Sequence, residues 1–263
     1  MKKLFFAVFC FSLVAVACHP QRSSGAEAGT IPAREDAFVA PAVIPADIVA
    51  RINENRAEFI PALEAVISAD AHGELILVDK QHFLDQSFIP AGLVPVSSGR
   101  SYVPGRAGLS LTPRAEAALE EMSAAARLDG VTLVVSSTYR SYDYQAQVYA
   151  RNVKQMGQAA ADRESAKPGA SQHQLGTAVD FGSITDEYAD TAAGKWLAAN
   201  AARFGWSLSF PRGYEPVTGY RWECWHYRYV GKEAAALQNA WFGGVQQYMI
   251  VFIDAWKNRA ATR

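Results

Sequence analysis

The pattern of apolar and polar positions divides the chain into helices and strands of ordinary length. From Ala46 to Ser68, apolar residues fall at Ile48, Ile52, Phe59, Leu63, Val66 and Ile67, the three- and four-residue spacing of one N-terminal helix. Glu74 to Asp79 reads ELILVD, is β-rich and is bounded by Gly73, so it predicts a strand. A turn-rich stretch with Pro90, Pro95, Gly99, Pro104, Gly105 and Gly108 predicts a long surface loop. Thr112-Pro113 has the form of an N-cap followed by proline at the first helical position, opening a helix that runs to Leu128 and stops at Asp129-Gly130.

Further along, VTLVVSS ahead of Thr138 predicts a buried strand, and Tyr142 to Met156 predicts a helix that Gly157 ends. Thr177 to Phe181 alternates as a strand does; Tyr188 to Phe204 predicts a helix, Trp206 to Phe210 a strand, and WECWHYRYV a further β-rich segment. Val245, Tyr248, Met249, Phe252, Ile253 and Trp256 recur at helical steps and predict an amphipathic closing helix. Helices and strands mix without the regular alternation of a doubly wound fold. The expectation is therefore α+β, a small mostly antiparallel sheet flanked by helices, with extra helices at both ends.

Composition sharpens this picture at a few points. With 263 residues, 50% of them hydrophobic, the chain can bury one sizeable core, which suggests a single domain over residues 41–263. A net charge of -1 and the lack of a dense Lys/Arg run argue against nucleic acid or an anionic membrane surface as partner. Lys2 and Lys3 precede an apolar run from Leu4 to Val16 that ends in small residues before Cys18, which predicts a secretory signal over residues 1–18. The run is shorter than the roughly 20 apolar residues that span a bilayer.

Two processing readings follow: ordinary cleavage after Ala17, or a lipoprotein signal with a lipid anchor at Cys18. The second is favoured, because residues 19–40 are rich in Ser, Gly, Ala, Pro and Glu and have the composition of a flexible tether. The protein is then exported, to the periplasm or cell surface. Cys10 leaves with the signal and Cys18 carries lipid, so Cys224 remains the one free thiol and no intramolecular disulfide can form.

The chemistry concentrates in two segments. In SQHQLGTAVD, His173 and Asp180 lie seven positions apart with Gly176 between them, so a loop can aim imidazole and carboxylate at one point. Zinc suits such a mixed nitrogen and oxygen set, and a catalytic site wants three protein ligands with one position open. In ECWHYRYV, His226 offers the third ligand and Glu223 a base. Strand alternation would put positions 223 and 226 on opposite faces, so Glu223 is expected in the loop before the strand or at a bulge. The rival reading of these residues is a loop histidine in a structural ion pair.

These segments, with TYRSYDYQ, LILVDKQHFL and the FPRGYEPVTGY approach to Glu223, resemble the motifs of the VanY-type D-alanyl-D-alanine carboxypeptidases and their LD-carboxypeptidase relatives. The resemblance spans roughly Glu74 to Gly231. It implies the zinc DD-peptidase (hedgehog-like) fold, one Zn2+ held by His173, Asp180 and His226, and Glu223 as general base. It further implies that Arg140 stabilises the scissile carbonyl and that Ser141, Gln145 and Ser171 bind the substrate. The implied substrate is a peptidoglycan stem peptide from which the C-terminal D-alanine is hydrolysed, and the protein is expected to act as a monomer. An endopeptidase of the same family and a non-catalytic cell-wall-binding lipoprotein are the alternatives. One departure stands out: the family usually has proline where this chain has Cys224, a soft donor close to the metal that is expected to point away from it.

Overall fold

Residues 39–261 are described by the computed structural model, so the expected export signal over 1–18 and the expected tether up to residue 38 lie outside the described residues. The single N-terminal helix expected from Ala46 is two, α1 (Ala46–Glu54) and α2 (Arg56–Ala69). Asn55 breaks them: its φ of -120° and ψ of 35° leave the helical region, and its side-chain amide donates to the Arg51 carbonyl at 2.9 Å. An amide side chain that bonds nearby backbone competes with helix propagation in this way.

Glu74 to Asp79 forms no strand. Its carbonyls are taken by a side chain instead of a ladder. Arg228 is fully buried and donates from Nη2 to the carbonyls of Glu74 and Ile76, each at 2.7 Å. Leu75 and Val78 still bury their side chains, so the apolar pattern is satisfied by packing while the backbone stays irregular. The turn-rich stretch that follows is a loop carrying three two-residue strands, β1 (Val94–Pro95), β2 (Val103–Pro104) and β3 (Ser110–Leu111), of which β1 and β3 pair antiparallel.

The middle of the chain gives α3 (Pro113–Leu128), β4 (Val134–Ser137), α4 (Tyr142–Met156) and α5 (Gln158–Glu164). In α3, Pro113 sits at the start as expected, and Ala115, Ala118, Leu119, Met122 and Ala126 form the buried stripe. Then come β5 (Ala178–Phe181), α6 (Ala192–Asn200), β6 (Trp206–Leu208), the single-turn α7 (Glu215–Thr218), β7 (His226–Tyr229), α8 (Lys232–Trp241) and α9 (Gln246–Ala261). The helix expected over Tyr188 to Phe204 is regular only in α6, with 3₁₀ turns on either side. The closing helix is less amphipathic than its spacing suggests, since Gln246, Gln247 and Ile250 are buried together with the six apolar residues named above.

The main sheet has the order β2-β4-β5-β7-β6, with β2 parallel to β4 and every other pair antiparallel. It is the small, mostly antiparallel sheet of an α+β fold. Both faces are covered, and their chemistry differs. Val135, Val179, Phe181, Trp206, Tyr227 and Tyr229 join the core that contains Leu119 and Met122 of α3 and Leu197 of α6. On the opposite face Asp180, Ser207, His226 and Arg228, joined by Ser137 through a register shift after Val135, are polar yet buried. A second core lies among α1, α2, α8 and α9, around Phe59, Leu63, Phe242 and Phe252. Burying so many polar groups on one sheet face is costly unless each finds a partner, which directs attention to that face.

Candidate metal centre

Register brings the first two ligands together. Asp180 of β5 lies directly opposite His226 of β7, and residues paired across antiparallel strands point to the same side. The third arrives from a 3₁₀ turn, Gln172–Leu175, capped by Ser171, whose Oγ accepts from the His173 amide at 3.3 Å. Gly176 ends that turn with φ of +69°, and a Cβ there would stand 3.0 Å from both Pro90 and Leu93; conformation and space both call for glycine. His173 Nε2 lies 3.2 Å from Asp180 Oδ2, and His226 Nδ1 lies 2.9 Å from Asp180 Oδ1. The three ligand atoms are all within 4.8 Å of one another, and all three residues are buried.

The proton positions decide whether this cluster suits a cation. His173 Nδ1 lies 2.7 Å from the Thr138 carbonyl, which can only accept, so Nδ1 carries the hydrogen and Nε2 presents a lone pair. His173 Nε2 makes no hydrogen bond. His226 Nε2 lies 3.2 Å from Gln172 Oε1, also an acceptor, so Nε2 carries a hydrogen and in the neutral ring the lone pair falls on Nδ1, facing Asp180. Burial, and next the Arg140 charge, push the His173 pKa down to about 4, so its imidazole is neutral as a metal ligand must be. Burial acts to raise Asp180, but the two adjacent histidines, His173 foremost, outweigh it and hold the carboxyl well below its usual range. Two imidazole nitrogens converge on one carboxylate in a buried site, and the residues present fit a divalent metal of nitrogen and oxygen preference.

Glu223 stands in the turn before β7, as the alternation argument requires. Its amide donates to Phe210 at 3.1 Å, and its carbonyl accepts from the His226 amide at 3.2 Å. Glu223 Oε2 lies 3.8 Å from His226 Nδ1. Burial, and then the charge of Asp180, raise its pKa well above the usual carboxylate value, giving the carboxylate a strong affinity for a proton.

Arg140 approaches from the end of β4. Its Nη2 donates to Asp180 Oδ2 at 3.1 Å, its Nη1 to Gln145 Oε1 at 2.8 Å and its Nε to Ser137 Oγ at 3.2 Å. Of five guanidinium hydrogens three are engaged, and two remain for the cleft that Arg140 lines. Gln145 does not line that cleft; it is 1% exposed and braces Arg140 while its Nε2 donates to the Ala166 carbonyl at 2.7 Å. Ser141 does not line it either, and instead caps α4 by accepting from the Tyr144 amide at 3.2 Å. Ser171 does line it. Cys224 points away, with its Sγ directed at the carbonyls of Thr185 and Asp186 and its side chain in the core with Tyr227.

The cleft measures about 430 Å³, within the range of small-ligand sites, and its wall includes Arg106, Arg140, Arg151 and Arg221 together with the four residues of the metal centre. Thr138 and Gln172 escape sequence reasoning. One contributes a main-chain carbonyl, which no side-chain motif reveals, and the other is a carboxamide of a type usually exposed.

Comparison with known proteins gives a consistent picture. The sequence model of the family described as VanY, D-alanyl-D-alanine carboxypeptidase, matches residues 108–232. YodJ of Bacillus subtilis (strain 168) is 36% identical over 167 residues, 61% of each chain. The solved structure of the LdcB LD-carboxypeptidase superposes with a TM-score of 0.62 at 30% identity, covering 69% of this chain and 87% of that one. The vancomycin-resistance D,D-pentapeptidase VanY, solved with Zn(II), gives a TM-score of 0.56 at 31% identity, covering 67% and 98%. The chain spans about three fifths of the length of the curated relatives it matches.

Proposed function

The chain belongs to the VanY family of D-alanyl-D-alanine carboxypeptidases, and from that premise we propose that it is a zinc-dependent carboxypeptidase removing the C-terminal D-alanine from peptidoglycan stem peptides. The observation that carries this reading is the buried triad of His173, Asp180 and His226, with an unpartnered imidazole nitrogen on His173 and Glu223 beside it. Zinc would be held by His173 Nε2, the Asp180 carboxylate and His226 Nδ1, and when bound it supplies Lewis acidity that activates water and polarises the scissile carbonyl.

The chain's own groups do the rest. Glu223 takes a proton on its carboxylate from the attacking water and delivers it to the departing amine. Arg140, braced by Gln145 and Ser137, offers its two remaining hydrogens to the oxyanion that develops on the carbonyl. Arg106 and Arg151 add positive charge to the same cleft, which favours a substrate ending in a free carboxylate over an internal peptide bond. Ser171 lines the same wall and is placed to contact the substrate. In this reading residues 41–263 are one peptidase domain, exported to the periplasm or cell surface and tethered by lipid at Cys18.

The test is incubation of purified protein with synthetic pentapeptide and tetrapeptide stems, with and without a chelator, followed by mass spectrometry. Loss of a single alanine that stops with chelator and returns with zinc is expected. Larger fragments would replace this reading with an endopeptidase, and wall binding without any product would replace it with a non-catalytic protein. The stem that is cut distinguishes DD from LD specificity.

A further inference from the structure

The His226 tautomer is dictated by a main-chain carbonyl two side chains away. Gln246, the first residue of α9 and 1% exposed, donates from Nε2 to the Ser207 carbonyl at 3.3 Å and to Ser209 Oγ at 3.2 Å. The Ser207 carbonyl can only accept, so the nitrogen of Gln246 must face it and its Oε1 must face the other way. That oxygen meets Gln172 Nε2 at 3.3 Å, which turns Gln172 Oε1 toward His226 Nε2, 3.2 Å away. Ser209 Oγ reinforces the orientation by donating to the same Oε1 at 2.7 Å. With its Nε2 hydrogen committed, the neutral His226 ring has its Nδ1 lone pair on the side of Asp180 and His173.

A further pair of bonds holds the start of α9 in place. Ser207 Oγ donates to Gln238 Oε1 at 2.8 Å, and Gln238 Nε2 donates to the Gly244 carbonyl at 2.8 Å in the turn between α8 and α9. Every carboxamide in this buried chain has its orientation fixed at both ends. His173 needs no such device, because the Thr138 carbonyl meets its ring directly.

We infer that Gln172 and Gln246 form a positioning relay through which the C-terminal helix α9 fixes His226 as an Nδ1 metal ligand. Gln246 lies beyond residues 108–232 that the family model matches, so the closing helix is part of the metal site's support as well as of the core. The inference rests on the zinc reading above. Groups that orient a ligating imidazole through its second nitrogen typically contribute tenfold to a hundredfold in metal affinity.

The experiment uses the full chain, with zinc affinity measured by competition against a chromogenic chelator and the His226 tautomer of the metal-free protein by long-range 1H–15N NMR. Gln172→Leu is expected to weaken zinc about tenfold to a hundredfold and to populate the Nδ1–H tautomer. Gln246→Leu is expected to do the same more mildly, and the double variant to bind no more weakly than Gln172→Leu, since both act in series. Gln246→Glu, which retains an acceptor for Gln172 Nε2, is expected to fall closer to the wild type. A purely structural role would lower the melting temperature while leaving affinity and tautomer unchanged, and that result in Gln246→Leu overturns the relay. Should Gln246→Leu fail to fold, Gln172→Leu carries the test, and wild-type affinity and tautomer in it overturn the relay. A wild-type protein that binds no zinc would instead overturn the proposed function, and the relay with it.

Discussion

Glu223 and His226 face one cleft because the chain between them is a turn, closed by the His226 amide donating to the Glu223 carbonyl at 3.2 Å. On a continuous strand the two side chains would diverge. The turn lets β7 begin at the ligand itself, so the carboxyl group enters from the rim while the imidazole is held by the strand. In the proposed function, proton transfer and metal binding thereby fall to neighbouring but mechanically separate pieces of backbone.

Glu223→Gln keeps the size and polarity of the side chain but cannot accept the proton from water. Zinc content is expected to be retained while kcat falls by about 10²–10⁴. Metal analysis alongside steady-state kinetics checks this, and near-normal turnover would remove Glu223 from the role of base.

Arg140→Lys keeps the charge but loses the planar fork that reaches Asp180, Gln145 and Ser137 at once. A loss of about 10²–10³ in kcat is expected, the scale seen when one oxyanion donor is removed, with zinc still bound. Wild-type kcat in the lysine variant would show that positive charge alone suffices.

Arg228→Leu tests the segment that was expected to be a strand. Burial pushes the Arg228 pKa down to about 10, and the side chain still serves as the donor for Glu74 and Ile76. Leaving the buried Glu74 carbonyl unpaired is expected to cost about 1–3 kcal/mol, with a smaller loss at the half-buried Ile76, read as a lower midpoint in urea. An unchanged midpoint would mean that the segment finds other donors.

Cys224→Ala addresses the thiol next to the base. The Cys224 side chain lies in the core, and burial raises its pKa, so it is a poor thiolate donor. Zinc affinity and turnover are expected to match the wild type, and a weakened affinity would mark the sulfur as a ligand.

By itself the sequence determined the residues of the centre and much of the framework. His173, Asp180, His226 and Glu223 are legible because chemistry-bearing side chains recur in motifs with a recognisable spacing. The helices α3 and α4 are legible because proline, glycine and three- to four-residue periodicity are local signals. The irregular path of Glu74 to Asp79 and the depth of α9 were decided by tertiary structure, since each depends on a partner distant in sequence or on packing that no local period encodes. The same holds for the site's fine control. Arg140 reaches Asp180 across 40 positions and Gln246 reaches Gln172 across 74. A side chain's identity is written in the sequence, but which of its atoms carries a proton depends on what the fold places against it.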